Sequence, residues 1–566
     1  MMIMKELGKL ASLERFWVRN FKSLKRFELD VSSKLMIIAG ANGSGKTALV
    51  EVFELLTYML DWVRGLIPNP FSKWWGYSNV VSGHDEDLPI TIGFRFRLNN
   101  MVEKMQKIER DFVKVVIKDF RDYLKSMDIK YEIDVTGREI DIISRAGRRG
   151  FQILRENLSI SAEDLEVEID TKRNIAKVSM NIIKWAKELW EKKYKTFPHI
   201  IHMRLMKLAA KSKLKYENLE TIIPLLSNLA EIFTLTHTYA ELTCEMKHAY
   251  SLLNHFADLE RDIKLGVDRE FYAKQKIYIN KIKDNILGKR CIEHMAKLIG
   301  KKILVNTKSP KYQELISKWR EEDIHDLLGL VKDNIARLIA KDILDYISNS
   351  VFIAIAAVYG IIDGITVIKN IDWKSVLTPQ HLERQERLKP DASNFLQFLF
   401  TLTSGKIGEN LEEALRYSFP SYKDFKAVFE VTTDGRVFIR LYADGLELAP
   451  ISIPHGVLKT LIVESILMWK PTILVIDEFE NSLYPELQQF LIDEFRNSDV
   501  YVIITTHSTI PLDYAKNIEE VVILRLENGE TRAYRPGREV LEMLRRKKLT
   551  LSELILSDLL ELRTSR

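Results

Sequence analysis

The stretch Gly40–Thr47 has the residue types and spacing of a phosphate-binding loop. Its sequence, GANGSGKT, matches the pattern G-x-x-x-x-G-K-[ST] of nucleotide hydrolases. Glycine tolerates backbone angles that other residues resist, so the loop can turn successive N–H groups toward a phosphate chain. We expect Lys46 to contact the β- and γ-phosphates and the Thr47 hydroxyl to contact Mg²⁺. The predicted nucleotide-binding residues of this loop are Gly40, Ala41, Asn42, Gly43, Ser44, Gly45, Lys46 and Thr47.

An acidic pair at the end of an apolar strand supplies a second part of a hydrolytic site. Asp477 and Glu478 follow the apolar run Thr472–Ile476. We expect Asp477 to hold Mg²⁺ through water, and Glu478 to orient and deprotonate the attacking water. An Asp-Glu pair at a strand end is common by itself, and a glycine-rich turn can also bind nothing. The two motifs together predict hydrolysis of ATP that depends on Mg²⁺.

A histidine ends the next apolar run of the chain. His507 follows the predicted strand Val500–Thr505. A neutral imidazole at this place could hydrogen-bond the γ-phosphate or the attacking water. A lone histidine is more often structural, but its position after the strand that follows the acidic strand favours a role in sensing nucleotide. We therefore place His507 with Lys46 and Glu478 among the predicted catalytic residues.

These motifs need a sheet that brings distant strand ends together. Lys34–Ala39 has the pattern of a buried strand before the phosphate loop, and Ala48–Leu60 that of a helix whose N-terminus favours anions. The second half of the chain has predicted strands and helices at Val457–Met468, Thr472–Ile476, Glu486–Arg496, Val500–Thr505 and Val521–Leu526. Alternating strands and helices are typical of a parallel sheet with crossover helices. The predicted fold class is α/β, a P-loop nucleoside triphosphatase.

The chain is predicted to contain four zones. Residues 1–100 form an N-terminal lobe with the phosphate loop, and residues 101–400 form a large, mostly helical insertion. Residues 401–535 form a C-terminal lobe with the acidic strand and the histidine, and residues 536–566 form a helical tail. The ATPase head is therefore predicted to be split by the insertion.

The predicted insertion is not uniform. Residues 131–178 are mixed, with two short strand-like pieces around the basic loop Ser144–Gly150. From residue 182 to residue 347, helices are predicted to dominate. Heptad-like spacing from Tyr239 to Phe256 soon decays, which favours a compact helical bundle or a short helical hairpin over a long coiled-coil arm.

The motifs together carry a family resemblance. The segments RFWVRNFKSLKRFEL, GANGSGKT, IDEFENSLYP and TTHS resemble those of ATP-binding-cassette (ABC) ATPases of the RecF and chromosome-maintenance type. The chain looks closest to a prokaryotic AAA-labelled branch that includes the overcoming-lysogenization-defect ATPases, in which a stretch like DEPENHLHP matches Asp477–Pro485. The resemblance covers residues 15–100 and 385–530. It implies a head-to-tail homodimer that encloses ATP between two heads, each completing the site of the other.

The signature loop of that family is atypical in this chain. In the family it carries Ser-x-Gly before the helix that leads to the acidic strand, whereas Pro454 stands at the serine position here. Gly456 and the following helix N-terminus can still offer N–H groups to a partner's γ-phosphate. The residues that could compensate for the missing hydroxyl are Ser452, His455 and Lys459. The glutamine of the family's Q-loop also has no counterpart between Thr47 and Gln106.

The composition is that of an ordinary globular protein with more than one domain. The 566 residues are 46% hydrophobic and 29% charged. The two cysteines do not suggest a disulfide framework or a metal clip, which favours a reducing cytoplasm. The N-terminus has no signal-peptide pattern, and the apolar run Val351–Ile362 is too short to cross a bilayer. We expect a cytoplasmic protein that does not enter a membrane.

The net charge of +5 conceals a basic middle segment. Residues 171–320 contain 30 Lys and Arg against 15 Asp and Glu. This surplus suggests a polyanion such as DNA as a partner, although a solvated helical surface explains it equally well. Trp185, Trp190 and Tyr194 could stack on bases, but their spacing also fits the core of a helix.

The sequence therefore predicts a Mg²⁺-dependent ATPase whose closure on ATP moves the basic segment. The resemblance implies work on nucleic acid in repair, genome maintenance or defence against mobile DNA. The alternative is a nucleotide-gated scaffold or sensor that turns over little and regulates a separate effector protein. Too few residues follow His507 for the nuclease domain of the lysogenization-defect group, so we expect any nuclease to be a separate chain.

Overall fold

A computed structural model gives the fold of the protein. It describes residues 8–99, 126–137, 151–162, 165–189, 240–245, 252–253, 280–281, 288–303, 308, 310, 313–314, 317, 321–419, 421–448, 453–537, 550–556 and 562–564. Several residues singled out in the sequence lie outside this set, namely the basic loop Ser144–Gly150, Trp190, Tyr194 and Ser452.

The chain divides into two compact units. The first unit comprises Met1–Arg97, Glu132–Leu154 and Ala356–Arg566, and the second comprises Leu98–Tyr131 and Arg155–Ile355. Residues 132–154 and 356–400 therefore fall in the first unit, although the sequence places them inside the insertion.

The strands are numbered in chain order as β1 Ala11–Phe21, β2 Leu24–Asp30, β3 Leu35–Gly40, β4 Ile90–Asn99, β5 Ser126–Thr136, β6 Gln152–Ala162, β7 Leu165–Asp170, β8 Ile175–Met180, β9 Ala240–Glu245, β10 Ile365–Ile368, β11 Gln380–His381, β12 Phe425–Val431, β13 Arg436–Ala443, β14 Leu446–Leu448, β15 Ile473–Ile476, β16 Tyr501–Thr506, β17 Val521–Glu527, β18 Glu530–Pro536 and β19 Leu562–Thr564. The α-helices are α1 Lys46–Val63, α2 Ile182–Leu189, α3 Gly288–Gly300, α4 Glu321–Asp363, α5 Trp373–Leu377, α6 Phe395–Thr403, α7 Glu409–Ser418, α8 His455–Trp469, α9 Pro485–Asn497, α10 Thr509–Asp513 and α11 Leu551–Leu556.

The central sheet of the first unit has the strand order β10-β15-β16-β3-β17-β18-β19. The five strands from β10 to β17 are parallel, whereas β18 is antiparallel to both of its neighbours. The four residues of β15 are all buried. This is expected for a strand that is covered on both faces, because such a strand has a continuous apolar sequence. The α/β class predicted from the sequence is confirmed by this sheet.

Two antiparallel assemblies accompany the central sheet in the first unit. Strands β1 and β2 pair directly, and β4 lies on the other side of β1. Strands β12 and β13 form the hairpin that the sequence predicts around Asp434-Gly435, and Gly435 has the left-handed φ of 80° that this turn requires. The core continues into α8 and α9, where Leu461 and Leu491 are fully buried.

The second unit contains more strand than the sequence indicates. Strands β6, β7, β8 and β9 follow one another in an antiparallel sheet. The expectation that helices dominate residues 182–347 is wrong for Ala240–Glu245, which pair with β8 rather than continuing a heptad. Their alternating apolar side chains fit period two as well as a helical period over so short a run.

A buried carboxylate of the second unit has several hydrogen-bond partners. The carboxylate of Glu156 is fully buried and accepts hydrogen bonds from the Tyr131 hydroxyl at 2.8 Å and from the backbone N–H groups of Leu252 and Leu253 at 2.8 and 3.0 Å. Trp185 is also buried, with its ring centroid 4.4 Å from that of Tyr346. Trp185 therefore belongs to the core, which is the second of the two interpretations given for its spacing. It is not a base-stacking residue.

Three further features qualify the sequence expectations. Within the described residues, the segment Lys332–Asp363 of α4 is long and apolar enough to cross a membrane. However, 89% of its most apolar 18-residue stretch is buried inside the protein. The C-terminal tail contains the short strand β19, paired with β18, besides the predicted helical turn α11. Cys291 is disulfide-bonded, which the sequence did not indicate.

Candidate active site

The phosphate loop connects β3 to α1 with backbone angles that require glycine. Gly43 and Gly45 have left-handed φ values of 78° and 100°. A Cβ on Gly45 would overlap the side chain of Thr531, whereas a Cβ on Gly43 would meet nothing within 4 Å. The loop is therefore fixed by torsion at both glycines and by close packing at Gly45.

Lys46 points back into the loop that precedes it. Its side chain is 6% exposed, and Nζ donates hydrogen bonds to the carbonyl oxygens of Gly40 at 2.7 Å and Ala41 at 3.0 Å. Burial lowers the pKa of Lys46, while the charges of Asp477, Glu480 and Glu478 act in the opposite direction. The charges of Asp477 and Glu478, the predicted acidic pair, therefore act on this amine, and so does that of Glu480, which the sequence analysis did not single out.

Two hydroxyl groups of the loop suit a phosphate and a metal ion. The Ser44 Oγ is buried and has no hydrogen-bond partner among the described residues. A buried polar atom without a partner is costly unless a ligand supplies one. Thr47 is exposed at the first turn of α1. The orphaned Ser44 hydroxyl and the glycine-rich turn fit a bound triphosphate.

The acidic pair follows β15 at the edge where the parallel strands end. The Asp477 N–H donates to the Ile368 carbonyl at 2.9 Å, and Asp477 Oδ1 accepts a hydrogen bond of 2.6 Å from the Thr505 hydroxyl. Burial raises the pKa of Asp477, and the hydrogen bond from Thr505 opposes that rise. A partly buried carboxylate with one oxygen already positioned suits a metal ligand.

Glu478 lies in a conformation that a glutamate rarely adopts. Its φ is 46°, and its backbone N–H donates to Thr505 Oγ1 at 2.9 Å. The side chain is exposed, and Oε2 accepts a hydrogen bond of 2.6 Å from the Asn481 amide. A left-handed non-glycine residue costs on the order of 1–3 kcal/mol and concentrates at functional sites. The backbone therefore turns the Glu478 carboxylate away from the sheet and into solvent.

His507 follows β16, which lies between β15 and β3. Thr506 is in register with Ala39, so His507 starts level with Gly40 of the phosphate loop. Its backbone N–H donates to Glu480 Oε1 at 2.6 Å, and its side chain is exposed. The strand order thus brings the three predicted segments to one edge of the sheet, although they are far apart in the chain.

A family model described as "AAA ATPase domain" matches residues 12–352, which is more than half of the chain. The chain belongs to the AAA ATPase domain family. It is an ATP-hydrolysing P-loop enzyme, and the predicted ATPase activity is confirmed at this level. A second model, described as "AAA domain, putative AbiEii toxin, Type IV TA system", matches residues 393–513. That segment of the AAA ATPase contains the acidic pair and His507.

Solved structures similar to this AAA ATPase include Smc head domains. One is the Smc head domain with an extended coiled coil bound to the C-terminal domain of ScpA, from Pyrococcus furiosus, at 12% identity, with 95% of this chain and 100% of that chain covered and a TM-score of 0.33. The Smc head domain with a coiled coil and joint from Pyrococcus yayanosii gives the same values. No curated protein matches the chain.

Only some residues of the predicted signature loop of this AAA ATPase are exposed and could contact a nucleotide bound to a partner. Pro454 precedes α8, and the exposed ring of His455 stacks on Trp373 with centroids 4.4 Å apart. Gly456 is packed against the loop after the acidic strand, since a Cβ there would lie 3.0 Å from the Ser482 carbonyl oxygen. Lys459 is 3% exposed and binds its own chain, so it does not present its amine outward.

A buried charge network beside the site was missed from the sequence. Lys369 follows β10, and its Nζ lies 3.1 Å from Glu51 Oε1 and 3.1 Å from Glu54 Oε2 of α1. Lys22 pairs with Glu51, and Lys73 pairs with Glu54. Two glutamates within the otherwise apolar face of α1 were the signal that could have revealed it. Thr505, which binds both acidic residues, was also missed, because a threonine at a strand end carries no specific pattern.

Proposed function

We propose that this AAA ATPase cleaves the γ-phosphate of ATP at the edge where β3, β15 and β16 end. The observation that carries the proposal is the strand register, which brings the phosphate loop, the acidic pair and His507 to one place. In this mechanism Lys46 exchanges its hydrogen bonds to loop carbonyls for bonds to the β- and γ-phosphates. A lysine in such a loop acts as a point charge on the phosphates.

Thr47 and Asp477 are the residues that would hold Mg²⁺. A hydroxyl and a carboxylate are the hard oxygen ligands that this ion prefers. When bound, Mg²⁺ would supply positive charge that offsets the negative charge on the phosphates during cleavage. The hydrogen bond from Thr505 to Oδ1 would hold the Asp477 carboxylate in place for that role.

Glu478 accepts the proton of the attacking water in this proposal. Its carboxylate is exposed at the strand end, and Asn481 fixes one of its two oxygens by a 2.6 Å hydrogen bond. The second oxygen can then face a water next to the γ-phosphate. His507 contacts the γ-phosphate through its exposed ring, while its backbone is held by Glu480.

We further propose that the head is of the ABC type and forms a homodimer across ATP, close to the overcoming-lysogenization-defect group. The segment IDEFENSLYP and the position of Gly456 at the start of α8 support this placement. The dimer would be completed with Pro454 and His455 facing the partner, and Ser452, which lies outside the described residues, is also proposed to take part. A separate effector protein such as a nuclease is the expected partner, and a cytoplasmic location away from membranes is part of the proposal.

We propose that ATP-driven closure acts on nucleic acid, which binds through the basic segment 171–320. The charge surplus of that segment supports binding to phosphates in a sequence-independent, salt-sensitive way. Stacking by Trp185 is not part of the proposal, because its ring is buried against Tyr346.

A second candidate is a nucleotide-gated scaffold or sensor that turns over little. It is favoured by Pro454, which has neither a hydroxyl nor an N–H group to offer to a partner's γ-phosphate. In that case ATP binding would change the affinity for an effector protein without repeated hydrolysis.

The test compares ATP turnover by the wild type, Lys46→Met and Glu478→Gln, each with and without Mg²⁺ and DNA, while the mass in solution is recorded. We expect Lys46→Met to lose ATP binding, and Glu478→Gln to bind ATP but to turn over at least 100-fold more slowly, on the order of one lost general base. DNA stimulation and ATP-dependent dimers would support the motor. Tight ATP binding with negligible wild-type turnover and no response to DNA would leave the scaffold.

A further inference from the structure

One buried lysine holds the loop that carries the proposed general base. Lys459 lies on α8 and is 3% exposed. Its Nζ is 2.9 Å from the carbonyl oxygen of Phe479, 2.8 Å from that of Asn481 and 3.4 Å from that of Glu478. All three acceptors belong to the single loop that follows β15.

The number of donors matches the number of acceptors. A lysine ammonium has three N–H donors and no acceptor, and three carbonyl oxygens surround this one. In the described part of the chain, no carboxylate oxygen lies within ion-pair distance of Lys459 Nζ, so backbone carbonyls are its partners. Burial lowers the pKa of Lys459 to about 8, although the charges of Glu480 and Glu478 oppose that change. A buried amine without an ion pair is costly, and it is retained here by hydrogen bonds to one loop.

The loop that Lys459 holds is strained at both ends. Glu478 and Ser482 have left-handed φ values of 46° and 67°. Non-glycine residues stay in that region only when surrounding contacts fix them. The first turn of α8 adds a second contact, because Gly456 packs closely against the Ser482 carbonyl. Helix α8 therefore supports the loop at its start, its middle and its end.

We propose that Lys459 is a positioning residue for hydrolysis, which fixes the direction of the Glu478 carboxylate by binding the backbone of its loop. The inference rests on the proposed role of Glu478 as the base. The hydrogen bonds that Lys459 makes within the described residues all go to the loop after β15. We therefore expect it to act on the hydrolytic step and to leave nucleotide binding to Lys46 and its neighbours. A base displaced by about 1 Å commonly loses on the order of 100-fold in rate.

The experiment measures kcat, KM for ATP and the Kd of a non-hydrolysable ATP analogue for Lys459→Met, Lys459→Gln and Glu464→Gln. Glu464 is a buried polar residue of the same helix that does not contact the loop, so its variant controls for general damage to α8. We expect Lys459→Met to lower kcat by about 100-fold with KM and Kd within about twofold of the wild type. Lys459→Gln keeps two N–H donors, so its kcat should lie between those of the wild type and Lys459→Met. Glu464→Gln should keep the wild-type kcat.

A double-mutant cycle with Glu478→Gln tests whether Lys459 changes kcat through Glu478. If Lys459 acts through Glu478, adding Lys459→Met to Glu478→Gln lowers kcat no further. Additive losses in the double variant, or an unchanged kcat in Lys459→Met, would overturn the inference. Full turnover by Glu478→Gln alone would instead refute the proposed base. If Lys459→Met does not fold, Lys459→Gln carries the same cycle and the same two outcomes.

Discussion

The hydroxyl of Thr505 donates a hydrogen bond of 2.6 Å to Oδ1 of Asp477. The hydroxyl oxygen of Thr505 also accepts a hydrogen bond of 2.9 Å from the backbone N–H of Glu478. One side chain on β16 thereby fixes both acidic residues at the end of β15, the first by its carboxylate and the second by its backbone. The proposed metal ligand and the proposed base are therefore placed by a residue that need not touch nucleotide.

We expect Thr505→Val to weaken Mg²⁺ binding, because partners that orient a metal ligand are commonly worth about 10–100-fold in affinity. The change keeps the shape of the buried side chain and removes only its hydrogen bonds. Thr505→Ser is the matched control, since it keeps the hydroxyl. The measurement is the Mg²⁺ concentration that gives half-maximal ATP turnover. An equal Mg²⁺ requirement in the valine and serine variants would contradict the assignment.

We expect Gly45→Ala to abolish ATP binding and Gly43→Ala to weaken it much less. Both positions have left-handed φ values, so both substitutions carry backbone strain of about 1 kcal/mol or more. Only at Gly45 does the added methyl group also overlap the Thr531 side chain. Titration with a fluorescent ATP analogue measures the difference. Equal affinities in the two variants would show that packing at Thr531 does not shape the loop.

The elements around this site could be predicted closely because their signals are local. The sequence places a strand at Lys34–Ala39 and a helix at Ala48–Leu60, and the structure has Leu35–Gly40 and Lys46–Val63. Continuous apolar runs before Gly40, Asp477 and His507 identify buried parallel strands. The acidic pair and the histidine could be placed together because parallel strands share one edge.

The parts that could not be predicted depend on partners distant in the chain. Residues 240–245 have apolar spacing that fits a helix, yet pairing with β8 makes them a strand. The ion pair between Lys369 and Glu54 joins residues whose separate patterns carry no link. Lys459 was expected as a possible compensating group in the signature loop, and only its contacts with the Phe479 loop reveal another environment.

We expect Lys369→Met to lower the free energy of unfolding by about 3 kcal/mol. The change removes the buried cation that bridges Glu51 and Glu54, and each carboxylate keeps only a more exposed lysine as its partner. The side chain of Lys369 is 7% exposed, and that of Glu54 is completely buried. Lys73 also pairs with Glu54 but is 37% exposed, so Lys73→Met should cost about 1 kcal/mol or less. Urea unfolding, followed by the fluorescence of the tryptophans in the first unit, measures the loss of stability in both variants. Similar losses in the two variants would contradict the burial argument.

We expect Glu464→Gln to stabilise the protein above neutral pH. Burial raises the pKa of Glu464 from 4.5 to about 7, and the charge of Glu494 adds to the rise. Below pH 4.5 the group is protonated in both states, so it adds no pH dependence. Between pH 4.5 and 7 the unfolded chain loses the proton first, and stability falls as pH rises, by about 3 kcal/mol in total.

Thermal unfolding of the wild type and Glu464→Gln at several pH values tests this effect. The two proteins should converge near pH 4.5 and diverge toward pH 8, with the variant more stable. Glu486→Gln is the control, since Glu486 is exposed at the start of α9. A constant difference between wild type and Glu464→Gln across this range would refute the shifted pKa.

The pairing of β3 with β16 and β17 also sets the order of events during synthesis. Leu35 is in register with Val502, and Ile37 with Val521, so the phosphate-loop strand has no parallel neighbour until the ribosome has passed those residues. At about 5–20 residues per second, this interval lasts roughly half a minute to a minute and a half. During it the unpaired backbone edges and the apolar faces of β3 are available to chaperones or to other nascent chains. The catalytic centre of this enzyme is therefore among the last parts of the chain that can form.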